Sequence, residues 1–227
     1  MVTTELHDLP ADDPRRRWGI FSVRETAKFL GVPVATISTW TRDEAFLITR
    51  VNGGQPPLPF VGFAETFALN ALRRAGVSMQ RVRPALALLR AEIGIEHVLA
   101  SRQLATDGVE VLFRYAGDDP DHTVVRTQQR QFRKAVEEYL KPIHYSDDDW
   151  ADRLYLPRYE HARVIVDPRK AFGRPMLASG LATVEDIADR FTAGESIAEI
   201  AHDFRISPEE VEDVIRVETL AGRAAPN

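Results

Sequence analysis

The stretch Phe21-Ser22-Val23-Arg24-Glu25-Thr26-Ala27-Lys28-Phe29-Leu30-Gly31-Val32-Pro33-Val34-Ala35-Thr36-Ile37-Ser38-Thr39-Trp40-Thr41-Arg42 decides the fold. Ser22 and Glu25 stand at capping-box spacing, which predicts a helix from Val23 to Leu30 with Val23, Ala27 and Leu30 turned inward. Gly31 ends it, because glycine takes the left-handed conformation after a helix without steric penalty. Val32 and Pro33 make a turn, and a second helix follows from about Val34 to Arg42, with Ile37 and Trp40 facing the core. Thr36, Ser38, Thr39 and Arg42 are left nearer the surface. Helix, glycine-containing turn and helix is the arrangement that places its second helix in the DNA major groove. Many enzymes contain similar helix pairs, so the flanking sequence has to decide.

Downstream, Phe46 to Val51 reads as a strand and Asn52-Gly53-Gly54 as a hairpin turn, since Asn and Gly tolerate positive φ. Gln55 to Pro59 returns as a proline-bound extended edge, completing a wing with Arg50 and Gln55 placed to touch DNA. No Lys-Ser/Thr follows the glycine pair, so a phosphate-cradling loop is not supported. Phe60 to Ala75 has apolar residues at helical spacing, and Gly76 stops it. Arg73 and Arg74 occupy its last turn, suited to the helix dipole and within reach of phosphates. Ser78 starts a further helix carrying Val82, Leu86, Leu89 and Ile93 inward, which either begins near Pro84 or kinks there. The candidate DNA contacts are Arg24, Thr36, Ser38, Thr39, Arg42, Arg50, Asn52, Gln55, Arg73 and Arg74.

The centre is less regular. Val109 to Tyr115 alternates as a strand, Thr123 to Arg126 pairs back, residues 128–140 form a helix, and Pro142 ends it. Asp147-Asp148-Asp149 reads as a solvated loop or cap, because consecutive carboxylates point apart and no calcium-loop spacing follows. Pro157 to Ala162 reads as a linker, and Val164-Ile165-Val166 as a short strand. Three short helices then announce themselves at their starts: Thr183 before Val184 to Ala193, Ser196 with Glu199 before Ile197 to Phe204, and Ser207-Pro208-Glu209-Glu210 before a helix to about Val217. The last two have helix-turn-helix spacing, but Glu209, Glu210, Glu212 and Asp213 would face phosphate with like charge, which favours a protein partner there. The expected fold class is mainly α with small β hairpins: an N-terminal winged helix-turn-helix plus a C-terminal three-helix domain. The expected divisions are a tail over 1–19, a DNA-binding domain over 20–94, a linker or dimerisation segment over 95–157, a helical domain over 158–220 and a tail over 221–227.

The 227 residues carry a formal net charge of −5, yet residues 14–90 hold 12 Lys and Arg against 4 Asp and Glu, and residues 101–227 are acidic. One end is thus suited to a polyanion and the other is not. There is no cysteine, which excludes disulfides, thiolate metal sites and cysteine nucleophiles. No apolar run is long enough to span a membrane, and no apolar segment follows Arg15-Arg16-Arg17, so a soluble cytoplasmic protein is expected. The six histidines show no metalloprotease spacing and no Gly-x-Ser-x-Gly elbow appears, so neither catalysis nor a metal or other cofactor is expected.

Residues 21–93, with Phe21-Ser22-Val23-Arg24-Glu25-Thr26-Ala27 and Pro59-Phe60-Val61-Gly62-Phe63-Ala64-Glu65, resemble a MerR-type winged helix-turn-helix. Residues 163–217, through Val164-Ile165-Val166-Asp167-Pro168, Phe172-Gly173-Arg174-Pro175 and Val184-Glu185-Asp186-Ile187, resemble an antitoxin-like helical domain of unknown function. Together they look like a VapB-type antitoxin of a VapBC toxin–antitoxin pair. Where that family usually has Gly-Thr-Arg, this chain has Gly180-Leu181-Ala182. The resemblance implies a homodimer that binds double-stranded operator DNA, represses its own operon and neutralises a PIN-domain ribonuclease toxin. Arg169, Lys170, Phe172 and Arg174 are the candidate toxin contacts, a basic side chain entering the toxin's acidic metal site. The alternatives are a stand-alone winged-helix regulator with a C-terminal dimerisation or ligand-sensing domain, and an adaptor whose helix pair contacts protein only.

Overall fold

The computed structural model describes residues 8–42, 47–104 and 133–223. Asp13 accepts the N–H of Arg15 and opens one helical turn, α1 (Pro14–Arg17). The capping box of Ser22 and Glu25 is formed in both directions and starts α2 (Val23–Leu30), and Gly31 ends α2 at φ 64°. α3 (Val34–Arg42) follows, with Ile37 and Trp40 buried. The predicted strand from Phe46 to Val51 does not form over its described part, 47–51; Phe46 lies outside the described residues. Leu47 and Ile48 are both buried rather than alternating, and the N–H of Thr49 goes to Glu65 Oε2 instead of a neighbouring strand. The wing is a loop, closed by Val51 N–H to the carbonyl of Pro57 and by Gly54 N–H to that of Val51. Its return leg pairs elsewhere: Leu58 and Phe21 form an antiparallel bridge, tying the loop to the entry of α2.

α4 (Phe60–Arg74) is buried along most of its length. Gly62 within it leaves room for the carbonyl of Thr49, which would stand 2.3 Å from an added Cβ. α5 (Met79–Ile93) runs through Pro84, so the helix begins well before that proline, and Gly94 caps it at φ 74°. A short 3-10 turn, Val98–Ala100, packs against α4.

The predicted strands at Val109 to Tyr115 and Thr123 to Arg126 lie outside the described residues. Residues 133–140 are helical (α6), with Val136 and Leu140 buried. An antiparallel meander then runs in chain order: β1 (Ile143–Tyr145), β2 (Ala151–Tyr155), β3 (Val164–Val166) and β4 (Met176–Leu177). Asp147-Asp148-Asp149 is the turn between β1 and β2, where Asp148 Oδ1 accepts the N–H of Trp150 and Asp149 takes φ 62°. Leu154 lies opposite both Ile143 and Val166. Pro157 to Ala162, read from the sequence as a linker, is the connection between two paired strands. It is fixed from outside: Asp213 Oδ2 accepts the N–H groups of His161 and Ala162, and Tyr159 donates its hydroxyl to Glu218. Burial together with Glu218 raises the Tyr159 phenol well above its ordinary pKa.

The C-terminal helices are α7 (Val184–Thr192), α8 (Ile197–Phe204) and α9 (Pro208–Arg223). Thr183 with Asp186 and Ser196 with Glu199 form reciprocal caps, and Ser207 with Glu210 makes the same pair of bonds. Phe191 is exposed on the last turn of α7. One continuous apolar core runs from Leu9 through the helix-turn-helix and the sheet to Val217. The fold is mainly α with one small sheet. Among the described residues no helix is long and apolar enough to cross a membrane.

Candidate nucleic-acid interface

α3 is anchored from below and open above. Ile37 and Trp40 sit in the core, while Val34, Ala35, Thr39 and Arg42 are exposed and Thr36 and Ser38 half-buried. Thr39 Oγ1 donates to the carbonyl of Ala35, and Arg42 Nε donates to that of Ser38, so the outer side chains are held along the helix. Arg50 Nη1 reaches the carbonyl of Thr41 at 3.3 Å, bringing a cation from the loop to the C-terminal end of α3. Arg73 from α4 stacks on the Trp40 ring, 5.6 Å from its centroid. The structure therefore assembles Thr36, Ser38, Thr39, Arg42, Arg50 and Arg73 around one helix. Short polar side chains with flanking arginines suit base-edge hydrogen bonds and phosphate contacts together.

The other candidates are less closely joined. Asn52 and Gln55 are exposed on the loop beside Gly53, which takes φ 69°. Arg24 is exposed on α2. Arg74 turns away from Trp40 and lies over the Tyr139 ring of α6 at 4.9 Å. The stacking partners of Arg73 and Arg74 carried no sequence signal, because both depend on tertiary packing.

The second set of candidates shares the loop between β3 and β4, where a 3-10 turn forms at Ala171–Gly173. Arg169 is engaged by two carboxylates: Nη2 lies 2.8 Å from Asp152 Oδ2, and Nε 3.1 Å from Asp167 Oδ1. Burial opposes ionisation of Asp167, but its bonds from Arg169 prevail and hold the carboxyl below the usual range. His144 Nδ1 lies 2.6 Å from the other oxygen of Asp152. Arg174 Nη1 meets Glu185 Oε2 at 2.9 Å. Lys170 is exposed. Phe172 is 91 % exposed, and Ala171, Phe172 and Gly173 take φ values of 46°, 54° and 76° in succession. A left-handed backbone costs an L-residue about 1–2 kcal/mol, so this turn holds an aromatic ring outward against its own preference. Gly173 is required by proximity as well: an added Cβ would stand 2.7 Å from Ile20 Cγ2. Asp152 and Asp167 were not singled out from the sequence; β2 does not alternate, so no pattern announced that Asp152 would face Arg169.

Helix pair, bridged loop and the polar face of α3 place the chain among helix-turn-helix DNA-binding proteins. A family model described as "Putative DNA-binding HTH domain" matches residues 19–86, and one described as "Protein of unknown function (DUF433)" matches residues 164–216. The chain is 38 % identical over 221 residues to "Putative antitoxin VapB45" of Mycobacterium tuberculosis (strain ATCC 25618 / H37Rv), covering 86 % of this chain and 92 % of that protein. The chain belongs to the VapB-type antitoxin family. It is also similar to the X-ray crystal structure of Rv2018 from Mycobacterium tuberculosis, with a TM-score of 0.76 at 36 % identity, covering 88 % of this chain and 99 % of that one.

Proposed function

We propose that this protein is the antitoxin of a type II toxin–antitoxin system. As a homodimer it binds operator DNA through α3 and represses its own operon; through its C-terminal half it neutralises a PIN-domain ribonuclease. The observation that carries the DNA arm is the α3 surface, where Thr39 and Arg42 stand exposed between Arg50 and Arg73. The toxin arm rests on family membership and on the exposed, backbone-strained Phe172 flanked by Lys170. Arg169 and Arg174 already have carboxylate partners. In this reading Phe172 and Lys170 make first contact, and either arginine exchanges its partner for the toxin's acidic site.

Co-expression with the neighbouring reading frame tests the toxin arm: the two proteins should co-purify and growth should be restored. Promoter binding tests the DNA arm, with log affinity falling against log salt by roughly 0.9 for each phosphate contacted. Affinity that ignores salt overturns it.

One observation favours the reading as a stand-alone regulator. A cleft of about 520 Å³ lies between α2 and the C-terminal helices, lined by Phe21, Lys28, Phe29, Phe172 and Glu218 among others. A small ligand there would sit directly against the first helix of the DNA-reading pair. Normal promoter release by a metabolite, with no growth rescue by this protein, would favour that reading.

A further inference from the structure

Glu65 sits within α4 with 1 % of its surface exposed. Its Oε2 accepts the N–H of Thr49 at 2.6 Å, and its Oε1 stands 3.3 Å from His97 Nδ1. Thr49 Oγ1 lies 2.8 Å from the same nitrogen. One ring nitrogen of His97 thus has two oxygen neighbours. The other has none: Nε2 is buried without a hydrogen-bond partner, on a side chain only 7 % exposed. Such an atom bears its desolvation cost uncompensated. A carboxyl and a hydroxyl behind Nδ1 are the arrangement that orients a metal-binding histidine, because they engage the Nδ1 proton and leave the Nε2 lone pair pointing away.

The carboxylate of Glu96 is the one placed near that nitrogen. Glu96 Oε2 lies 3.8 Å from Nε2, too far for a hydrogen bond. Asp8, Glu96 and His97 each offer a ligand atom, and these atoms all lie within 4.8 Å of one another. Tetrahedral ligands 2.0–2.2 Å from a zinc ion stand about 3.3–3.6 Å apart, and the Glu96 side chain, 64 % exposed, has room to swing the remainder. Arg16 meets Glu96 Oε2 at 3.3 Å and the carbonyl of Leu9 at 3.0 Å. Both Arg16 and His97 thus approach the same oxygen, Glu96 Oε2, and an ion there would draw Glu96 away from Arg16.

We propose that Asp8, Glu96 and His97 bind one divalent cation of the zinc class, through His97 Nε2 and one oxygen of each carboxylate, with Glu65 and Thr49 as positioning residues. One imidazole with two carboxylates suits Zn²⁺ or Co²⁺; Mg²⁺ and Ca²⁺ favour all-oxygen sites. The ion clips the arm that precedes α1 to the start of the 3-10 turn behind the helix-turn-helix.

The full-length protein, stripped with a chelator and dialysed free of it, is titrated with Zn²⁺ by calorimetry in excess Mg²⁺. One Zn²⁺ per chain and a higher Tm are expected. Glu96→Gln and Asp8→Asn should lower the affinity at least tenfold, and Glu65→Gln by roughly 10–100-fold through the ring it orients. Far-UV circular dichroism of each zinc-free variant, matching the wild-type protein, separates lost ligation from lost folding; Glu96 is the safest of the three because it is largely exposed. Failure of the wild-type protein to saturate below about 1 mM Zn²⁺ overturns the proposal. So does wild-type affinity in both Glu96→Gln and Asp8→Asn, which would leave His97 a buried imidazole serving Glu65 alone.

Discussion

Phe172 is held where an L-residue does not want to be, at φ 54° and almost wholly exposed. Glycine at this position removes the backbone penalty and the ring together. Phe172→Gly should therefore raise folding stability by about 1 kcal/mol, measured by urea unfolding, while weakening toxin capture in a pull-down. Loss of stability would mean that the ring packs where the structure leaves it bare. Residues of this kind are hard to read from sequence. Ser22 and Glu25, or Ser196 and Glu199, announce their contacts because capping partners are three positions apart. Asp213 looked like one of several surface carboxylates on an acidic helix, yet its side chain is buried and holds the 157–162 connection through two backbone N–H groups. Its partners are about fifty residues away, and nothing local signals them.

At the scale of elements, α3 allows its two kinds of arginine to be separated. Arg42→Ala should flatten discrimination between operator and random DNA. Arg73→Ala, which removes a cation stacked on Trp40 rather than one on the reading face, should weaken both about equally. Mobility shifts on the two DNAs at matched salt check this. The β1–β2 turn offers a pH test. Burial opposes ionisation of Asp148, but the Arg15 guanidinium, Ser146 and the N–H of Trp150 outweigh it and lower its pKa from 3.8 to about 2. A carboxyl depressed on folding contributes stability that is complete above its unfolded value and is lost as pH falls through the folded one. Asp148→Asn should accordingly lower Tm at neutral pH and shrink the acid-induced loss of Tm between about pH 4 and 2. An unchanged acid limb would show that the Arg15 contact is not kept in solution. Helices were the legible elements, since α2, α7 and α8 carry capping boxes and α3 buries Ile37 and Trp40 at helical spacing. Of the sheet only β3 was legible, as the apolar run Val164-Ile165-Val166; β1 and β4 are two or three residues long and β2 does not alternate, so period-two patterning has no room to appear.

For the whole molecule, the charge asymmetry along the sequence marked which end reads DNA, but not how firmly the ends are joined. Lys28, on α2, is gripped twice from the C-terminal half. Its ammonium pairs with Glu218 of α9 at 2.5 Å, and its carbonyl accepts a hydrogen bond from Arg158. The consequence concerns DNA length. Two copies joined through their C-terminal halves would present their α3 helices at a fixed span and a fixed rotation about the duplex, like the jaws of a set caliper. Inserting about 5 base pairs between operator half-sites puts the second site on the opposite side of the duplex and should abolish cooperative binding, whereas about 10 should restore part of it. Lys28→Ala with Arg158→Ala should relax that dependence on helical phase, as read by footprinting on the spaced operators.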